Sequence, residues 1–77
     1  MIARRPATDE EMLQEYPRRA RTPHWFICVE EVSACVFRVS ARDRWGHQVS
    51  HTGGGNDLDR LIEDVERYAE RIASNSR

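Results

Sequence analysis

The chain has 77 residues, 39% hydrophobic and 32% charged, with a formal charge of -1. That size allows one small core and excludes a second domain. The charge balance excludes a global field that would favour nucleic acid or an anionic membrane. All twelve basic residues are arginine. They are spread along the whole chain, which fits a GC-rich coding sequence and a bacterial or phage origin better than selection for phosphate contacts. No run approaches the roughly 20 apolar residues needed to cross a bilayer. Met1-Ile2-Ala3-Arg4-Arg5-Pro6 has no apolar stretch behind its charges, so it does not read as a secretory signal. The two cysteines form no framework, and a reduced, cytoplasmic protein is expected.

Residues 1–7 read as a frayed tail. Thr8 with Glu11 matches a capping box, and Asp9, Glu10 and Glu11 suit the positive end of a helix. Met12, Leu13 and Tyr16 form a narrow apolar stripe, and Pro17 limits this helix to about two turns. Residues 18–23 read as a basic linker, so residues 1–23 precede a βββα domain over residues 24–77.

The first strand is expected over His24–Glu30, the second over Ala34–Arg42 and the third over His47–Thr52. Asp43-Arg44-Trp45-Gly46 carries the chemistry of a type I turn with glycine at positive φ. It pairs Ala41 with Val49 and Val39 with His51. A four-residue loop at Glu30-Glu31-Val32-Ser33 would pair Cys28 with Cys35 and Phe26 with Phe37. Together these registers place Phe26, Cys28, Cys35, Phe37, Val39, Ala41 and Val49 on one face.

Gly53-Gly54-Gly55 reads as a flexible link, with Asn56 as N-cap of the last helix. Leu58, Leu61, Ile62, Val65, Tyr68, Ala69 and Ile72 form its apolar stripe, and Glu63 with Arg67 is a favourable i,i+4 pair. Residues 74–77 are expected to fray. The fold class is therefore α+β, with a short N-terminal helix, a three-stranded antiparallel meander and a C-terminal amphipathic helix packed on one sheet face.

The second face would then hold Trp25, Ile27, Val29, Ala34 and Val36 beside Arg38, Ser40, Arg42, Gln48, Ser50 and Thr52. An apolar cluster of that kind wants a cover. The N-terminal helix could fold back on it, a second copy could pack there, or a partner could use it. The interface candidates are Trp25, Ile27, Val29, Val36, Arg38 and Arg42, with Trp25 as anchor and the arginines at the rim. Replacing Ile27 by Glu separates these covers.

Chemistry is sparse. The glycine run before a helix resembles an anion cradle, but Asp57 and Asp59 would repel a phosphate, and no Walker-A residues follow. His47 and His51, four apart on a strand, are about 13 Å apart and cannot share a metal ion. A site at Cys28, Cys35 and His51 lacks any ligand spacing; two buried thiols and a strand-end histidine with a local hydrogen bond are expected instead. No base or cation activates a cysteine as nucleophile. The expectation is a protein without catalytic residues, metal or cofactor, which binds a protein through its uncovered sheet face, either a partner or a second copy. The alternative is a nucleic-acid module using Arg38, Arg42 and Arg44 with Trp25 or Trp45, helped by Arg18, Arg19 and Arg21. In topology alone, a meander followed by a helix is similar to the double-stranded-RNA-binding domain. That domain would want a basic start to the last helix, and here the start is Asn56-Asp57-Leu58-Asp59-Arg60.

Overall fold

The computed structural model describes residues 6–75. Most of the tail expected over residues 1–7, and Ser76 and Arg77, lie outside the described residues. The chain runs α1 (Asp9–Glu15), β1 (Arg18–Arg19), β2 (Trp25–Ser33), β3 (Val36–Asp43), β4 (Gln48–Gly54), a 3-10 turn (Gly55–Asp57) and α2 (Leu58–Asn75). The strands form one antiparallel sheet in the order β1-β2-β3-β4. The sheet thus has four strands where three are expected. The extra one comes from the basic linker, where Arg18 pairs with Ile27 and Arg19 with Phe26.

The local signals at α1 act as expected. The Thr8 hydroxyl accepts from the Glu11 amide, and the Glu11 carboxylate accepts from the Thr8 amide. Pro17 follows the end of the helix, as its bias against helix at the preceding residue requires. At the β3–β4 turn, Gly46 takes φ 99° and donates to the Asp43 carbonyl, while the Asp43 amide donates to His47. This turn sets the expected register, with Ala41 opposite Val49 and Val39 opposite His51.

The β2–β3 register differs from expectation. The β2 strand runs on through the proposed loop to Ser33, β3 starts only at Val36, and the chain reverses at Ala34-Cys35, with Cys35 at φ 59°. Cys28 lies opposite Ser40 and Phe26 opposite Arg42, with a bulge between Glu31 and Ser33. The slip from Cys35 to Ser40 is odd-numbered, and an odd slip turns every side chain of the strand to the other face. Trp25, Ile27 and Val29 therefore join Val39, Ala41 and Val49 beneath α2, while Phe26 and Cys28 turn away. The core consists of Trp25, Ile27, Val39, Ala41, Val65 and Ala69, flanked by Leu58, Leu61, Ile62 and Ile72. On α2 the expected stripe faces the core, with Val65 and Ala69 buried and Leu58, Leu61, Ile62 and Ile72 partly buried against it, except Tyr68, which is 45% exposed; the Glu63–Arg67 pair forms at 3.3 Å. The helix continues through Ser74 and Asn75, where fraying is expected.

Gly53 and Gly55 are closely packed, where a flexible link is expected. Gly53 and Gly54 belong to β4, and Gly55 opens the 3-10 turn that also contains Asn56, so Asn56 does not cap α2. A Cβ on Gly53 would lie 3.0 Å from the Leu61 side chain, and one on Gly55 would lie 2.9 Å from the Phe37 ring. These approaches let the chain cross tightly from sheet to helix. Gly55→Ala should cost about 1–3 kcal/mol, the usual penalty of overpacking. Urea denaturation would measure it, and Gly54→Ala, with no atom near its Cβ, should cost less.

Candidate functional surfaces

The second sheet face is built from Phe26, Cys28 and Glu30, then Arg38, Ser40 and Arg42, then Gln48, Ser50 and Thr52, as the two registers require. Phe26, 1% exposed, is its main apolar group. The α1 helix packs against β2 and buries Met12 there, and the Arg19 guanidinium lies 5.5 Å from the Phe26 ring centre. Tyr16 reaches across the face, and its hydroxyl accepts from Gln48 Nε2 at 3.4 Å. The N-terminal helix thus covers this face at its Phe26 end, over a different ring from the one expected. Beyond Tyr16 the face is polar, forming a shallow hollow of about 280 Å³ edged by Cys28, Glu30, Arg38, Ser40 and Ser50.

Three interface candidates consequently change position. Trp25 and Ile27 are 3% and 2% exposed, within the core under α2. Val29 packs against that core. Val36, Arg38 and Arg42 stay on the open side. The apolar cluster expected there is absent, because the flipped register sends it inward.

Most of the candidate arginines are held by carboxylates. Arg38 binds Glu30 at 2.7 Å, Arg19 binds Asp9 at 3.2 Å, Arg21 binds Glu66 at 3.1 Å, and Arg44 also binds Asp9. Arg42 is half-buried, with no carboxylate within ion-pairing distance among the described residues.

Among the described residues Asp43 is the one strongly buried carboxylate. Its Oδ1 accepts from the amides of Trp45 and His47 at 2.9 and 2.8 Å, and its Oδ2 lies 2.7 Å from His47 Nδ1. The bond ties His47 to the turn, whereas His51, the histidine for which a local hydrogen bond is expected, lies against the Tyr68 ring. His24, at φ 72°, stacks edge-on against Trp45 with ring centres 5.3 Å apart. These side chains border a cavity of about 620 Å³ at the turn end of the sheet. The carboxylate is fully engaged in holding the turn, so the arrangement is accounted for by folding. Cys28 is half-buried and Cys35 exposed at the hairpin tip, so the two expected buried thiols are neither deeply buried nor cross-strand partners. Among the described residues no three side chains of His, Cys, Asp or Glu gather as metal ligands.

The sheet edges differ from one another. On the β2 side, β1 pairs only with Phe26 and Ile27. The rest of that edge carries Glu30 and Glu31 and ends in a bulge. Charge and bulges are the devices that keep an edge from pairing with another chain. β4 has neither. Its seven residues, Gln48-Val49-Ser50-His51-Thr52-Gly53-Gly54, hold no Asp, Glu, Arg or Pro, and its register with β3 is unbroken. The Asp43–His47 hydrogen bond fixes the alternation of the ladder. Val49, His51 and Gly53 point their amides and carbonyls at β3, and those of Gln48, Ser50, Thr52 and Gly54 point outward. No backbone group of the described residues pairs with that outer row. Sequence reasoning did not reach this edge, because strand order decides which strand lies outermost. The signal was present as a strand without charge or proline.

Comparison with protein-family models, with curated proteins and with solved structures finds no match to this chain. Among the described residues no helix is long and apolar enough to cross a membrane.

Proposed function

We propose that the chain is a non-enzymatic protein-binding domain whose contact surface is the β4 edge of the sheet and the polar face beside it. The carrying observation is the contrast between the two edges. The β2 edge is blunted by Glu30, Glu31 and a bulge, whereas β4 holds no Asp, Glu, Lys or Arg and presents a regular row of amides and carbonyls that no backbone group of the described residues pairs with. A row of this kind accepts an added strand, with main-chain hydrogen bonds supplying affinity and flanking side chains supplying specificity. Val36, Arg38 and Arg42 lie on the face beside this edge, and the half-buried, carboxylate-free Arg42 suits an acidic group on the partner. Less supports the nucleic-acid alternative, because Arg38 and Arg44 are already paired with carboxylates.

A photo-crosslinking residue placed at Thr52 tests this in cells expressing the chain. It should give a discrete protein adduct that is lost when Ser50→Pro removes an outward amide. The same residue at Glu70, exposed on α2, should give none. Equal labelling from both positions, or no adduct from Thr52, would sink the proposal.

A further inference from the structure

We infer that the strand taken up by β4 is the β4 of a second copy, so that two chains form one continuous antiparallel sheet around a two-fold axis at His51. This rests on the reading of β4 as the contact edge and names its occupant. A two-fold pairing centred on His51 uses all seven residues. Gln48 then lies opposite the partner's Gly54, and Ser50 opposite the partner's Thr52, and these are the residues whose amides and carbonyls point outward. The strand holds no Asp, Glu, Lys or Arg, so the symmetry brings no carboxylate or guanidinium against its own copy. The same operation on the β2 edge would bring Glu30 and Glu31 against their own copies.

The helix layer repeats this complementarity. His51 stacks on Tyr68, with ring centres 5.0 Å apart, so an axis through His51 passes beside the exposed Tyr68 ring. On this flank of α2, Asp64 lies one turn before Tyr68 and Arg71 about one turn after it, and all three border the same hollow with His51. Antiparallel helices across the axis set Asp64 against the partner's Arg71, and Arg71 against the partner's Asp64. Tyr68 meets the partner's Tyr68. Arg67, the remaining charge there, is tied to Glu63 on its own helix. An isologous contact requires such a self-complementary arrangement.

The test is the solution mass of the full chain by sedimentation over a wide concentration range, with variants. The expected mass tends to twice 9.0 kDa. Thr52→Pro, which removes an outward amide and leaves the inner ladder intact, should weaken association roughly tenfold or more, since each change acts twice across the axis. Asp64→Arg should also weaken it, adding Arg71→Asp should restore it, and Glu70→Arg should leave it unchanged. The charge-reversal pair keeps the test decisive should Thr52→Pro disturb folding. A mass of 9.0 kDa at all concentrations, or a dimer indifferent both to Thr52→Pro and to charge reversal, overturns the inference. A monomer that still gives the Thr52 adduct with another protein overturns self-pairing and leaves the contact edge standing.

Discussion

Ile27→Glu should unfold the domain. Ile27 is 2% exposed and lies among Val39, Ala41 and Val65 beneath α2. A carboxylate there would lose its hydration. The core around that position consists of apolar side chains, which offer it no partner. Burying an unpaired charge costs several kcal/mol even after relaxation. A domain of this length has roughly 4–12 kcal/mol of total stability at typical per-residue values, so the loss of packing and the buried charge together exhaust most of it. The expected result is loss of the cooperative thermal transition and collapse of amide dispersion in a nitrogen–proton NMR spectrum. Cys28→Glu, one residue along and facing the open polar side, should change stability by no more than about 0.5 kcal/mol. The reverse ranking would mean that β2 presents its other face to α2.

The second large effect belongs to Asp43. Its side chain terminates three interactions that close the β3–β4 turn, two with backbone amides and one with the His47 ring. Asp43→Ala leaves those donors without their acceptor in a half-buried setting, where each unsatisfied group costs about 1–3 kcal/mol. Partial access to water reduces the sum, and a loss of about 2–4 kcal/mol is expected at pH 7 by urea denaturation. Asp43→Asn keeps an oxygen for the two amides and should lose less than half of that. An Ala variant as stable as the parent would mean that Gly46 and the strand pairing hold the turn without the carboxylate.

The two hairpins explain why part of this fold was legible and part was not. Asp43 and Gly46 are residues whose chemistry specifies a turn, so the β3–β4 register followed from them directly. The β2–β3 reversal contains no glycine, asparagine or proline; it relies on Cys35 at positive φ, a conformation that residue type rarely adopts. Alternation could not compensate, because Trp25-Phe26-Ile27-Cys28-Val29 is apolar at every position and reads equally well in either phase. One local clue points the right way: Glu30 faces Arg38 across the strands at 2.7 Å, and opposite charges favour that pairing. The contact surface moved with the register. Residues 25, 27 and 29 became core, Phe26 became the seat of α1, and the surface left without a partner became an edge. Edges depend on strand order, which hydrophobic periodicity does not encode. The α2 stripe needed no register at all, which is why it was readable throughout except at Tyr68.

The most direct test is amide hydrogen exchange along β4, read residue by residue in dilute and in concentrated solution. The structure predicts alternation in the dilute chain, with Val49, His51 and Gly53 protected by β3 and Ser50 and Thr52 exchanging freely. At concentrations where the chain self-associates, Ser50 and Thr52 should become as protected as their neighbours. Protection of Ser50 and Thr52 already present in the dilute monomer, or free exchange at both positions in the associated state, would contradict the assignment of β4 as the contact edge.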